Sequence, residues 1–147
     1  MLVGKIQTLG PWTAYIEAMD EALAANNRGE SIRAWRQAYS AALSHPGWHG
    51  LFTVATASLR VGTSPNLARS AAALTRETYW IAFYRARQQR SLSGVLCTAE
   101  AFEMLGDRDS AERCLRVAEE LEPSACDEAE VDRVRLLAHR LGRPEGN

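Results

Sequence analysis

The sequence predicts an all-α fold of about seven helices arranged as antiparallel hairpins. Ala occurs 24 times and Leu 16 times among the 147 residues, and both are strong helix formers. Apolar residues recur at helical spacing, while no segment sustains the period-two alternation of a strand. The connections are short, and short connections between amphipathic helices place antiparallel neighbours side by side.

Helix-breaking residues separate the first three predicted helices. Pro11 suits a first helical turn, and Gly29 follows the end of that helix. Pro46 stops the second helix because Pro cannot continue one, and Gly62 is expected as the C′ residue of the third. These helices are predicted over residues 11–26, 31–44 and 48–61.

The fourth predicted helix is the longest. Ser64-Pro65 gives a hydroxyl N-cap followed by Pro, and the helix is expected to continue to about residue 89. Its centre, residues 79–84, is apolar almost all round, and such a helix needs neighbours on several sides. Asp109 and Asp127 are expected to cap the last two helices. The last three helices are predicted over residues 92–105, 110–121 and 128–141.

Length and composition indicate a single domain over residues 1–147, with an N-terminal extension at 1–10 and a tail at 143–147. The formal net charge is −1, and 46% apolar with 24% charged residues are ordinary globular values that exclude a wholly disordered chain. No secretory signal or membrane span is visible. The three cysteines show no Cys-x-x-Cys spacing and suit a reducing compartment, so we expect a cytoplasmic protein.

The chain contains an internal repeat. With Gly29 aligned to Gly106, the matching pairs are Ala34 with Ala111, Ala41 with Ala118, and Pro46 with Pro123. This pattern of Gly, Ala, Ala and Pro, clearest over residues 92–123, resembles the tetratricopeptide repeat (TPR). The first hairpin departs from the family pattern, since Ala38 stands where a large residue is usual. The resemblance implies a short TPR-like α-solenoid of stacked hairpins with a C-terminal capping helix.

The resemblance also implies a function. Family members hold a partner segment in a concave groove lined by the first helix of each hairpin, and here the groove positions fall on Leu96, Glu100, Glu103 and Met104. Two carboxylates would suit a basic segment. We therefore expect an adaptor or chaperone-like scaffold for a protein or peptide partner, although a partly exposed helix face explains the same residues. The seventh helix should present a polar outer face, formed by Asp132, Arg133, Arg135 and Arg140.

Two alternatives remain open. An aromatic run in the fourth helix would suit contact between copies of the chain, as a homodimer or another homo-oligomeric structural module. Its members are Tyr79, Trp80, Phe83 and Tyr84. Residues 60–90 also hold six arginines and one acid, which together with these aromatics would suit a nucleic-acid-associated regulatory protein. The isoelectric point near 6.3 argues against nucleic acid as the partner.

No motif indicates an enzyme. The Gly-rich phosphate loops and the nucleophile elbow are missing from the sequence. Paired carboxylates such as Glu100 and Glu103 fall on helix faces that are predicted to be solvated. His45 and His49 are separated by Pro46, so they cannot share a helical face as zinc ligands do. We expect no catalytic residue, no metal site and no cofactor.

Overall fold

The computed structural model describes residues 10–62, 68–124 and 127–142 and confirms the all-α fold, with no strand in these ranges. The predicted bounds of the helices hold to within three residues, while the start signal at Ser64-Pro65 lies outside the described residues. None of the described helices combines the length and apolar character needed to cross a bilayer. The described residues form seven α-helices and one 3₁₀ turn, in this order: α1 Thr13–Ala24, α2 Arg28–Ser44, α3 His49–Val61, α4 Ala68–Gln88, α5 Leu92–Met104, α6 Arg108–Leu121, the turn Glu122–Ser124, and α7 Glu128–Arg140.

The chain divides into two compact units, Met1–Ile81 and Ala82–Asn147, with the boundary inside α4. In the first unit α1 packs on α2, and α2 packs on α3. In the second unit α5 packs on α6, and α7 packs on both. Fully buried side chains of the two cores include Met19, Ala38 and Leu51 in the first unit and Phe102, Leu115 and Leu137 in the second.

Three connections between helices share one backbone geometry. In each, the helix ends at a residue in the left-handed region, with φ of 60° at Asn26, 54° at Arg90 and 80° at Gly106. The following residue donates its N–H to the carbonyl five residues earlier, which is the bond pattern of a Schellman motif. The side chain of that same residue then caps the next helix. One residue thus ends one helix and begins another; these residues are Asn27, Ser91 and Asp107.

This geometry corrects the register of the internal repeat. Gly29 was aligned with Gly106 from the sequence, but Gly29 lies inside the first turn of α2. Asn26 is the residue that shares the turn conformation of Gly106. In the corrected register the matching buried positions are Trp35 with Leu115 and Ala38 with Ala118. In this register the sequence matches of Ala34 with Ala111 and of Pro46 with Pro123 no longer hold.

The helix caps confirm one prediction and correct two. Asp127 caps α7 as predicted, accepting a hydrogen bond from the N–H of Ala129 at 2.9 Å. The N-cap of α6 is Asp107 and not Asp109, because α6 begins two residues earlier than the sequence predicts. Gly62 directly follows α3 as the C-cap with φ of −80°, so it is not a left-handed C′ residue.

Trp12 fixes the contact between α1 and α3 within the first unit. Its side chain is 3% exposed, and its indole N–H is buried without an acceptor among the described residues. The ring meets His45 edge-on, with ring centroids 5.2 Å apart. The ring also lies so close to the backbone at Gly10 and Gly50 that neither position has room for a Cβ atom. Glycine is required at Gly50 for this close approach.

Hydroxyl groups join α3 to α4 in the first unit. Ser58 Oγ lies 2.5 Å from Thr75 Oγ1, and both residues are buried. Between the same two helices, Thr56 Oγ1 lies 2.8 Å from the hydroxyl of Tyr79. Buried hydroxyls need hydrogen-bond partners, so these two pairs fix how the helices face each other.

The last described helix, α7, repeats the design of α5. Each has 13 residues, begins at a side-chain cap and ends at a glycine with φ near 80°, namely Gly106 and Gly142. Three positions that are buried and apolar in α5 are exposed and polar in α7. These positions pair Leu92 with Glu128, Leu96 with Asp132 and Ala99 with Arg135. An outer polar face of this kind is typical of a helix that ends a stack.

Candidate functional site

Two ion pairs join α5 to α7. Arg133 donates to Glu100 through Nη2 at 2.5 Å and through Nε at 3.3 Å. Arg140 Nε lies 3.0 and 2.9 Å from the two carboxylate oxygens of Glu103. The two pairs follow the same order along both helices, Glu100 with Arg133 and then Glu103 with Arg140. Helices α5 and α7 therefore run in the same direction. Each carboxylate predicted to receive a partner therefore already accepts a hydrogen bond from this chain.

Helical spacing places two large apolar side chains beside these ion pairs. On α5, Met104 lies one turn beyond Glu100, on the same side of the helix. On α7, Leu136 lies between Arg133 and Arg140 at i+3 and i−4 spacing. Met104 is 87% exposed and Leu136 is 56% exposed. We call this surface the α5–α7 face; it comprises Cys97, Glu100, Glu103, Met104, Arg133, Leu136 and Arg140.

The electrostatics of the α5–α7 face are those of satisfied ion pairs. The hydrogen bond to Glu100 raises the pKa of Arg133, and the hydrogen bond to Glu103 does the same for the pKa of Arg140. Arg133 Nη2 also lies 3.7 Å from the half-buried Cys97 Sγ. The two carboxylates and two guanidinium groups cancel, so these pairs leave the face without net charge.

The four predicted groove residues differ in how exposed they are. Leu96 is fully buried at 0% exposure, so it belongs to the core and does not line an open groove. Its position on α5 lies between the core stripe and the solvent side, and periodicity alone did not separate the two. Glu100 and Glu103 are partly exposed and ion-paired, and Met104 is the most exposed of the four.

Sequence reasoning missed the contribution of α7 to this face. Arg133 and Arg140 were assigned to its polar outer face, but they turn to α5 and pair with its carboxylates. Asp132 and Arg135 are exposed as predicted. The seven-residue spacing of Arg133 and Arg140, with Leu136 between them, places all three on one side of the helix and was the available signal.

The aromatic run of α4 is mostly internal. Tyr79 and Phe83 are buried, Trp80 is half-buried and Tyr84 is 58% exposed. Tyr79 packs on Phe52 with ring centroids 5.4 Å apart, and burial raises the pKa of its phenol. Of the four aromatic residues predicted to contact another copy, Tyr79 and Phe83 are therefore not available, because they are already buried within the chain.

Four arginines of the stretch over residues 60–90 are exposed: Arg60, Arg76, Arg87 and Arg90. Arg60 makes a two-point ion pair with Asp20 of α1, at 2.9 and 3.1 Å. The side chain of Arg69 lies outside the described residues. Across the described ranges, no three His, Cys, Asp or Glu side chains group as metal ligands.

No family model, curated protein or solved structure matches this chain.

Proposed function

We propose that this chain is a protein-interaction module, an adaptor or chaperone-like scaffold of the cytoplasm, that binds a segment of a partner protein on the α5–α7 face. The observation that carries the proposal is the exposure of Met104 on α5 and of Leu136 on α7, the two helices that the Glu103–Arg140 ion pair joins. Exposed apolar side chains grouped within a polar rim are typical of binding surfaces. The tetratricopeptide resemblance supports the same choice, since the groove that it implies includes Glu103 and Met104.

The charges of the face favour a partner anchored by apolar side chains. A basic segment would have to displace Arg133 or Arg140 from a carboxylate before it gained a pair of its own. Met104 and Leu136 lose only water when a partner covers them. We therefore expect an amphipathic partner segment in place of the basic segment expected from the sequence. The ion pairs would orient this segment on the face.

A site-specific photo-cross-linking experiment tests this function. A photoreactive phenylalanine analogue is introduced at position 136, or at position 104, in the full chain within cells. The matched control carries it at Arg113, which is exposed on α6, a helix that contributes no residue to this face. We expect adducts from positions 104 and 136 that map to the same segment of the same protein, and none from position 113.

Two substitutions then separate binding from folding. Leu136→Glu and Met104→Glu change exposed side chains, so the melting temperature should stay near that of the native chain. Affinity for the captured partner should fall by about fivefold or more, as for residues at the centre of an interface. Unchanged affinity in both variants, or equal cross-linking from position 113, would refute the α5–α7 face as the binding site.

A further inference from the structure

We infer that Met104 is a site of reversible oxidation, and that conversion of its thioether to the sulfoxide by a peroxide weakens partner binding at the α5–α7 face. The first part concerns a modification that the chain undergoes without any partner. The second part rests on the proposed function, because it names a regulation of the same surface.

Exposure distinguishes the two methionines that the structure describes. Met104 is 87% exposed, whereas Met19 is fully buried in the core of the first unit at 0% exposure. An oxidant dissolved in water reaches Met104 directly, but it reaches Met19 only when that unit opens. The chain therefore carries its own internal standard for oxidation of the folded state.

The two cysteines among the described residues are less accessible than Met104. Cys114 is fully buried, and burial raises its pKa to about 12, so its thiol stays protonated and unreactive. Cys97 is half-buried, and its Sγ lies 3.7 Å from Arg133 Nη2. Met104 is thus the most exposed sulfur-containing side chain of the described ranges.

The reaction needs only the thioether and the oxidant. A sulfur lone pair attacks one oxygen of hydrogen peroxide, so that an S–O bond forms as the O–O bond breaks. The hydroxide that leaves takes the remaining proton and becomes water, so the sulfur is oxidised by two electrons and the peroxide is reduced. Methionine sulfoxide reductases reverse the change with electrons from thiols, one enzyme for each sulfoxide epimer.

The sulfoxide changes the chemistry of the α5–α7 face without reaching the core. Oxidation adds a polar S–O group to the most exposed apolar side chain of this face, and that group has to lose water when a partner covers it. In the folded chain the added oxygen lies in solvent, so the melting temperature should stay near that of the native chain. Oxidation should therefore affect binding and leave folding unchanged.

Peptide mapping of the folded chain after timed exposure to hydrogen peroxide tests the modification. Met104 should gain one oxygen at least about tenfold faster than Met19, because reaction at Met19 requires opening of the fold. Trypsin separates the two methionines into peptides 6–28 and 91–108. Fragment ions place the oxygen on Met104 or on Cys97, which share the second peptide. In urea, where the chain is unfolded, the two methionines should react at similar rates.

The photoreactive analogue at position 136 then measures binding with and without oxidation. Peroxide treatment of the chain before it is added to a lysate should lower the adduct yield by about fivefold or more, and treatment with both reductases should restore it. Met104→Leu keeps an apolar side chain that peroxide does not oxidise, so its yield should stay near native with or without peroxide. Cys97→Ser should respond to peroxide as the native chain does.

The outcomes separate the inference from the proposed function. Equal oxidation of Met19 and Met104 in the folded chain, or oxygen found on Cys97 in place of Met104, overturns the modification. An oxidised native chain that keeps its full yield overturns the regulation, and so does a Met104→Leu chain that loses its yield in peroxide. If Met104→Glu still weakens binding in those cases, the proposed function stands. A chain that gives no adduct from position 104 or 136 before oxidation overturns both the proposed function and the regulation.

Discussion

Replacing Gly50 by alanine should destabilise the first unit, although alanine is the better helix former. A Cβ atom on Gly50 would lie 2.6, 2.7 and 2.8 Å from Cζ3, Cε3 and Cη2 of Trp12. All three are ring carbons of a side chain that is buried, and the ring also meets the backbone at Gly10. The ring therefore has no free side towards which it can move, and helix α3 must shift away from α1.

The magnitude follows from two opposing terms. Overpacking of a close contact costs roughly 1–3 kcal/mol, and the rigidity of the indole places this site in the upper part of that range. Exchange of glycine for alanine in a helix contributes roughly 0.5–1 kcal/mol in the opposite direction. The net loss in the free energy of unfolding should be about 2 kcal/mol. For a chain of this length that lowers the melting temperature by roughly 4–8 °C.

Gly29 provides the matched control. It also lies in the first turn of a helix, but the nearest atom to a Cβ there is Asn27 Oδ1 at 4.0 Å. Gly29→Ala should therefore stabilise the protein by roughly 0.5–1 kcal/mol. Thermal melts followed by circular dichroism measure both variants against the native chain. Opposite signs at the two glycines would identify the ring contact as the cause.

A second substitution tests the contact itself. Trp12→Phe removes the outer carbons of the indole, so it should recover part of the loss when combined with Gly50→Ala. If Gly50→Ala melts at or above the native temperature, or if Trp12→Phe adds its own loss in full, the close approach of α1 and α3 does not limit position 50.

Three further predictions concern polar groups that are buried or half-buried. A double-mutant cycle with Ser58→Ala and Thr75→Val should give a coupling of roughly 0.5–1.5 kcal/mol in urea unfolding, and additive losses would contradict their hydrogen bond. Burial raises the pKa of Cys114 to about 12, so the unfolded thiol ionises first above pH 9. Stability should fall by up to about 1.4 kcal/mol per pH unit there, and less steeply in Cys114→Ala; equal slopes would refute this. Burial lowers the pKa of His49, so the unfolded state binds the proton first and stability should fall as the pH drops below about 6.5. His49→Gln should reduce that acid sensitivity in a pH series of melts, and an unchanged profile would count against it.

Local signals were enough to predict the helices, and they were less reliable at the turns. Pro46 and Asp127 act within a few residues of themselves, and the helices that they delimit end and begin as predicted. Gly29 misled the repeat alignment because asparagine can also adopt the left-handed turn conformation, so Asn26 took that role. Residue type alone could not show which of the two held the turn.

The candidate site depended on which helix faces which neighbour. Periodicity placed Glu100 and Met104 on one side of α5, and Met104 is exposed there as a groove residue should be. Periodicity could not show that Arg133 and Arg140 turn towards α5, since helix pairing is decided by packing between distant segments. The residues that α5 contributes to the candidate site could therefore be predicted from the sequence, and those that α7 contributes could not.

The joints that contain the capping residues Asn27, Ser91 and Asp107 are three residues long, and the left-handed residue and the capping residue of each have a fixed role. An α-helix turns about 100° per residue, so inserting or deleting one residue there would rotate the next helix by that angle. Its buried stripe would then point away from its neighbour. We expect such insertions to disturb the packing of the helices that follow these joints, whereas single-residue insertions after Pro46 should be tolerated better, because the four-residue connection between α2 and α3 holds no left-handed residue and no side-chain cap for α3. Each of the three joints therefore fixes the rotation of the next helix about its axis. An added residue in an engineered variant belongs in the α2–α3 connection.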